Sequence, residues 1–367
     1  MIMDNTNTNI PETSVGEVIR TLSDLYVNAV KTHIPFITLP TPFLWGPFGV
    51  GKSEGVRHLA DMIAQRTGKR VFVTDVRLLL FSPVDLRGVP MASKDGFSDW
   101  LMPRIFDMDR SEDAVNILFL DELSAAPQSV QAAAYQITLD RVIGEHRLPD
   151  NCIVIAAGNR TTDKSIAYTM PKALCNRLIH FSVRSDVRSW LEWAKHNGID
   201  SRIIGFISFD NSRLNITPET SDMAFPTPRS WSFVSGLLKT MKPAKTTDIH
   251  MLISSAVGID TAMAFEEFAE LYSKLPSVDD IFAGTCREYP KTHQVLYALV
   301  SSLEAALDER EDISGFELEN VCGYVSHFPP DFAMTFFKDL SNMENLKDRL
   351  AKIRALQLWL QKNKRSL

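Results

Sequence analysis

The 367-residue chain contains no apolar run approaching the roughly 18 residues that a membrane-spanning helix needs. Its first residues, MIMDNTNTNIPETS, are polar and lack the apolar stretch of a secretory leader. Both absences point to a cytoplasmic protein with no membrane span. Cysteine is scarce: Cys152, Cys175, Cys286 and Cys322 lie far apart and form no CxxC pair. That argues against a disulfide framework and a zinc ribbon, and it fits a reducing compartment. The eight histidines include no HExxH, so no zinc site is expected. Cys175 and His180 are close enough to suggest a thiol site, but ordinary core and surface roles are the simpler expectation. A positive net charge is also missing. The formal charge of -6 excludes a protein that coats nucleic acid through bulk charge and leaves only local basic patches for such contacts. Internal repeats and low-complexity tracts are absent as well.

What is present is a series of short apolar runs. TPFLW (41–45), RVFVT (70–74), NILFLDE (116–122), CIVIAAG (152–158) and LIHFSV (178–183) read as buried strands. Helical patterns fall between them, as at 53–66, where Val56, Leu59, Ala60 and Ile63 share one face. Alternation of this kind predicts an α/β domain with a mainly parallel sheet. A helical lead-in covers 1–37 and the α/β domain 38–189. Strand-like runs become rare after 190, and a helical domain is expected over 190–283. IFAGTCREYPK (281–291) reads as a connection into a further helical region, 284–367. Its last stretch places Leu346, Leu350, Ile353 and Leu360 near one face. Lys347, Arg349, Lys352, Arg354, Lys362, Lys364 and Arg365 make that stretch basic.

The strongest local signal is Gly46-Pro47-Phe48-Gly49-Val50-Gly51-Lys52-Ser53, which matches GxxxxGK(S/T) between a strand and a helix. Glycines let the backbone curl so that its N–H groups and the helix start form a nest for phosphates. Lys52 suits the β- and γ-phosphates of ATP, and the Ser53 hydroxyl suits Mg²⁺. Glu54 follows in the first helical turn. The strand ILFLDE ends in two carboxylates. Asp121 suits the Mg²⁺ shell through water, and Glu122 suits a general base that polarises the attacking water. The strand CIVIAAG leads to Asn159, which either hydrogen-bonds the attacking water or γ-phosphate, or forms a simple Gly-Asn turn. Arg177, in PKALCNRLIHF, and Arg229, in FPTPRSW, are candidates to neutralise developing phosphoryl charge, although surface salt bridges are the commoner fate of single arginines.

Taken in order, GPFGVGKS, ILFLDEL, VIAAGNR, KALCNRLIHF and FPTPRSW resemble the MoxR-type AAA+ ATPases, in the clade with magnesium-chelatase ATPase subunits and dynein-related modules. SPVDLRGVP (82–90) and the hairpin TLDRVIGEHRLPDN (138–151), with its turn at Gly144, resemble further parts of that clade. The resemblance covers roughly 38–270. It implies a P-loop NTPase core with sheet order 5-1-4-3-2, followed by a helical lid and a C-terminal helical region. It also implies residue roles: Gly46 to Ser53 as Walker A, Asp121 and Glu122 as Walker B, and Asn159 as the first sensor. Arg177 would be a finger reaching a neighbouring subunit, with Arg184 and Arg188 as alternatives, and Arg229 a second sensor on the lid. Phe48 and Ser53 depart from the common GPPGVGKT without removing a phosphate contact. The resemblance further implies ATP and Mg²⁺ as ligands, a homo-oligomeric, hexameric ring, a client protein, and a separate von Willebrand A domain partner. The function expected on this basis is hydrolysis of ATP to remodel or activate a protein or metal-containing assembly, chaperone-like. A nucleic-acid motor using Arg141, Arg147 and the basic C-terminal stretch, a small-molecule kinase, and an ATP-binding scaffold without turnover are the alternatives.

Overall fold

A computed structural model describes residues 10–160, 168, 170, 172–216, 218, 222–241, 246–310, 312–343 and 346–363. Lys364 and Arg365 of the basic C-terminal stretch lie outside the described residues. The chain divides into two units, Met1–Ser189 and Trp190–Leu367.

The first unit is built on a six-stranded, all-parallel sheet. Its strands are β1 (Glu12–Ser14), β2 (Thr41–Trp45), β3 (Arg70–Arg77), β6 (Ala114–Asp121), β9 (Cys152–Gly158) and β10 (Leu178–Arg184). Between β3 and β6 lies a hairpin of β4 (Val89–Ala92) and β5 (Ser98–Leu101), and before β9 a second, of β7 (Val142–Ile143) and β8 (His146–Arg147). The spatial order is β1-β10-β2-β9-β6-β3. Its five core strands follow the expected 5-1-4-3-2. The sequence pattern did not reveal β1, because a three-residue edge strand is too short to carry a period. It also missed the hairpin β4–β5, whose strand residues are mostly exposed.

Alternation within the buried strands divides the core into two layers. Val115, Ile117 and Phe119 of β6 pack with α1 (Val15–Lys31) and α2 (Lys52–Thr67). Leu118 and Leu120 pack on the other face with α4 (Gln128–Asp140), which follows the short α3 (Pro83–Arg87). Helix α1 starts where it does because Ser14 caps it: its hydroxyl accepts from the Glu17 N–H, and the Glu17 carboxylate accepts from Ser14. The turn α5 (Lys172–Cys175) leads into β10.

The second unit is helical: α6 (Val187–His196), α7 (Ser201–Phe209), α8 (Pro228–Thr240), α9 (Thr246–Val257), α10 (Ile259–Glu270), α11 (Val278–Phe282), α12 (His293–Glu309), α13 (Gly315–Val325), α14 (Pro330–Asn342), α15 (Lys347–Leu350) and α16 (Arg354–Lys362). The last apolar stretch forms two short helices rather than one, with the break at Ile353. Leu346, Leu350, Ile353 and Trp359 are buried in this unit's own core. Inside the unit, Lys195 Nζ lies 2.8 Å from Glu304 Oε2 and 2.7 Å from Asp339 Oδ2. Burial pushes the Glu304 carboxyl up to about 7 despite the facing ammonium. Among the described residues no helix is long and apolar enough to cross a membrane.

Candidate active site

The site forms at the carboxyl ends of β2, β6 and β9. The loop after β2 passes so close to β10 that a Cβ on Gly46 would lie 2.6 Å from the Val183 carbonyl oxygen. Gly46 N–H donates to the Gly158 carbonyl at 3.2 Å, tying the loop to the end of β9. Gly51 adopts φ +99°, a conformation that favours glycine, immediately before α2. Pro47, Phe48 and Gly49 are half-buried and Val50 is buried. Glu54, exposed in the first turn of α2, accepts a 2.9 Å bond from Arg57.

Lys52 is only 8% exposed. Its ammonium donates to the carbonyls of Gly46 (2.5 Å) and Pro47 (2.9 Å) and to Asn159 Oδ1 (3.0 Å). Lys52 and Asn159, distant in sequence, are thus in direct contact. The Ser53 hydroxyl donates to Asp121 Oδ2 at 2.9 Å, and Asp121 Oδ1 accepts from the Glu122 N–H at 2.9 Å. Glu122 itself sits at φ +59°, an uncommon backbone for a side-chain-bearing residue. The turn is held by Leu123 N–H to Ala157 O (2.9 Å) and by Ala125 and Ala126 N–H groups to Glu122 O (3.0 and 3.1 Å). Ser53 and Asp121 therefore present a hydroxyl and a carboxylate side by side at a helix start, a donor set that fits Mg²⁺ held with a nucleotide. No group of three or more His, Cys, Asp or Glu able to hold a metal by itself occurs among the described residues.

Three residues join the site that the motifs did not single out. Ser124 is fully buried; its hydroxyl donates to Asn159 O and accepts from Asn159 N–H, each at 2.9 Å. Gly158 makes room for it, since a Cβ there would meet Ser124 Oγ at 2.5 Å. Asp75, on β3, has its pKa raised by burial and by the neighbouring charge of Asp121, and its Oδ1 is buried without a hydrogen bond. An acid inside the apolar run of β3 was its available signal. Arg160 donates to Ser182 Oγ (2.5 Å), Val183 O (3.2 Å) and Glu12 (3.1 Å), stitching β1 and β10 beside the loop.

The arginines are disposed differently. Arg177, between α5 and β10, is exposed and makes no hydrogen bond or ion pair among the described residues. Arg184 and Arg188 are also exposed. Arg229 is exposed in the first turn of α8, whose start is fixed by the reciprocal Thr227–Ser230 cap and by Pro228. Arg141, in contrast, is 4% exposed and donates to Thr41 Oγ1 (2.8 Å) and Leu39 O (3.0 Å), so it does not present a surface cation. Arg147, in the hairpin, is exposed. His180 bonds the backbone carbonyl of Cys175, not its thiol, which removes the reason for a thiol site.

No protein-family model and no curated protein matches the chain. Among solved structures, RuvB from Thermotoga maritima is 16% identical over 83% of this chain and 89% of its own, with a TM-score of 0.39. NtrX from Brucella abortus in complex with ATP is 15% identical over 93% and 69%, with a TM-score of 0.37. PCH-2 from C. elegans is 15% identical over 71% and 70%, with a TM-score of 0.34. The strand order, the phosphate loop after β2 and the helical unit that follows give this chain a P-loop core of the AAA+ type.

Proposed function

We propose that this chain is an Mg²⁺-dependent ATPase of the MoxR-type AAA+ kind, acting as a homo-oligomeric, hexameric ring that remodels or activates a protein or metal-containing assembly. The observation that carries this reading is the convergence of four motif side chains from three strand ends: Ser53 against Asp121, and Lys52 against Asn159. With nucleotide bound, Lys52 would exchange its loop carbonyls for phosphate oxygens, and Ser53 and Asp121 would hold Mg²⁺, whose charge would offset that of the phosphates. Glu122 accepts the proton of the attacking water, and Asn159 orients that water. Residues 190–283 act as the lid carrying Arg229 as second sensor, and 284–367 as a further helical region. A client protein and a separate von Willebrand A domain protein are the partners this reading implies. The nucleic-acid motor loses one of its proposed contacts, because Arg141 is spent inside the fold.

Arg177 is proposed to complete the neighbouring subunit's site, a role suited to an exposed arginine that has no partner among the described residues. The test mixes Arg177→Ala with Glu122→Gln subunits. Each alone should bind ATP and turn over slowly. Exchanged rings should hydrolyse faster than the sum of the two, because some sites regain both groups. With subunit exchange shown by tagged co-purification, a simple sum would sink the trans role and bring Arg184 and Arg188 forward.

A further inference from the structure

The loop that carries Arg177 is fastened to the strand that carries the phosphate loop. Trp45 is the last residue of β2, and Gly46 opens the loop. The Trp45 indole Nε1–H donates to His180 Nδ1 at 2.9 Å, and the other ring nitrogen, Nε2, lies 2.7 Å from the Cys175 carbonyl oxygen. An indole N–H only donates and a carbonyl only accepts, so both bonds require neutral imidazole with its proton on Nε2. The Trp45 and His180 rings are stacked at 30°, with centroids 6.1 Å apart, and Phe43 lies against Trp45 at 4.2 Å. Cys175 ends α5 two residues before Arg177, and β10 begins one residue after it, with Leu178 paired to Thr41. The turn bearing Arg177 is therefore held on both sides by β2, once through strand pairing and once through the histidine. Because the arginine itself has no partner among the described residues, its placement comes from this backbone and not from its own side chain.

We infer that Trp45 and His180 are positioning residues for Arg177, joining a subunit's own phosphate loop to the arginine it offers its neighbour. This rests on the reading of Arg177 as a trans-acting residue. The ring nitrogens of both are taken up by each other and by the Cys175 carbonyl. Their bonds set where the Arg177 turn stands, and displacement of a catalytic group by about 1 Å is enough to cost up to about a hundredfold in rate.

The experiment uses the full chain. Trp45→Phe keeps an aromatic ring and removes the donor; His180→Phe removes both ring nitrogens at the other end. Each variant should retain ATP affinity within about twofold and lose about tenfold in kcat, with ring assembly unchanged. Each is then mixed with Glu122→Gln subunits. A defect that acts through Arg177 leaves the variant's own phosphate loop and Glu122 intact, so a Glu122→Gln neighbour supplying a well-placed Arg177 should raise the turnover of the mixture above the sum. A defect confined to the variant's own phosphate loop would show no rise. Arg177→Ala mixed in the same way is the control. If Arg177→Ala is rescued and neither ring variant is, or if kcat is unchanged in assembled rings, the positioning role is wrong. If Arg177→Ala itself is not rescued, the trans reading fails first, and the positioning role falls with it.

Discussion

Ser124→Ala isolates one buried hydroxyl that joins two strand ends. In the native turn Ser124 Oγ donates to the Asn159 carbonyl and accepts from the Asn159 N–H, both at 2.9 Å, with Ser124 itself fully buried. Removing the oxygen deletes both bonds and leaves two half-buried backbone groups of Asn159 to find water. Each net bond contributes about 1 kcal/mol, and part of the desolvation of the stranded groups adds to that, giving a loss of about 2–3 kcal/mol. The loss is local, so the sharpest measurement is native-state hydrogen exchange of the Asn159 amide, read by NMR or mass spectrometry. At about 1.4 kcal/mol per decade, its protection should fall by roughly 30- to 150-fold if it exchanges through local opening. Because Asn159 Oδ1 holds the Lys52 ammonium at 3.0 Å, turnover should fall about tenfold, while ATP affinity changes by less than about threefold. Urea unfolding of the same variant gives an independent value. Wild-type protection at Asn159, together with a stability change under about 0.5 kcal/mol, would refute the claim that this hydroxyl pins the sensor turn.

Lys52→Ala should abolish detectable binding of a fluorescent ATP analogue, whereas Glu122→Gln should bind it normally and release phosphate far more slowly; wild-type turnover by Glu122→Gln would remove Glu122 as the base. Arg141→Met should destabilise the first unit by about 2–3 kcal/mol in a denaturant titration, since it strips two bonds from a buried group and leaves Thr41 and Leu39 oxygens short of a donor; a surface-like change below about 0.5 kcal/mol would contradict its burial. The Glu304 carboxyl, pushed up to about 7 by burial against an ordinary 4.5, makes the helical unit bind a proton that the unfolded chain releases. That stabilisation is full below about 4.5 and is lost as pH rises through about 7, so thermal midpoints should fall between pH 5 and 8. Glu304→Gln should flatten that slope, and a slope kept by the variant would place the titration elsewhere.

Much of the first unit was legible because its determinants are local. Apolar runs separated by helical patterns point to a parallel sheet, since strands covered on both faces are apolar throughout. RVFVT does not fit the expectation of a buried strand: it lies on the edge strand β3, where Phe72 and Val73 are exposed. The phosphate loop is legible for the same reason: Gly46, Gly51, Lys52 and Ser53 are adjacent in sequence and have backbone and side-chain requirements that few other residues meet. The hairpin turn at Gly144 is likewise written in neighbouring residues. The two short terminal helices α15 and α16 were read as one stretch, because apolar spacing alone does not register a break at Ile353.

What only the tertiary structure decided are the meetings between distant segments. Nothing in sequence pairs Ser124 with Asn159, Asp75 with Asp121, or Trp45 with His180, because each contact depends on which strands are neighbours and in what register. Parallel pairing of β2 with β10 brings an indole to an imidazole 135 positions away. Arginine shows the limit most clearly. Arg141, Arg177 and Arg229 are chemically identical, and their sequences offer each as a phosphate contact. Packing buries Arg141 against Thr41 and Leu39 while it leaves Arg177 and Arg229 exposed, because a guanidinium is drawn to whichever unsatisfied oxygens the folded chain places within its reach.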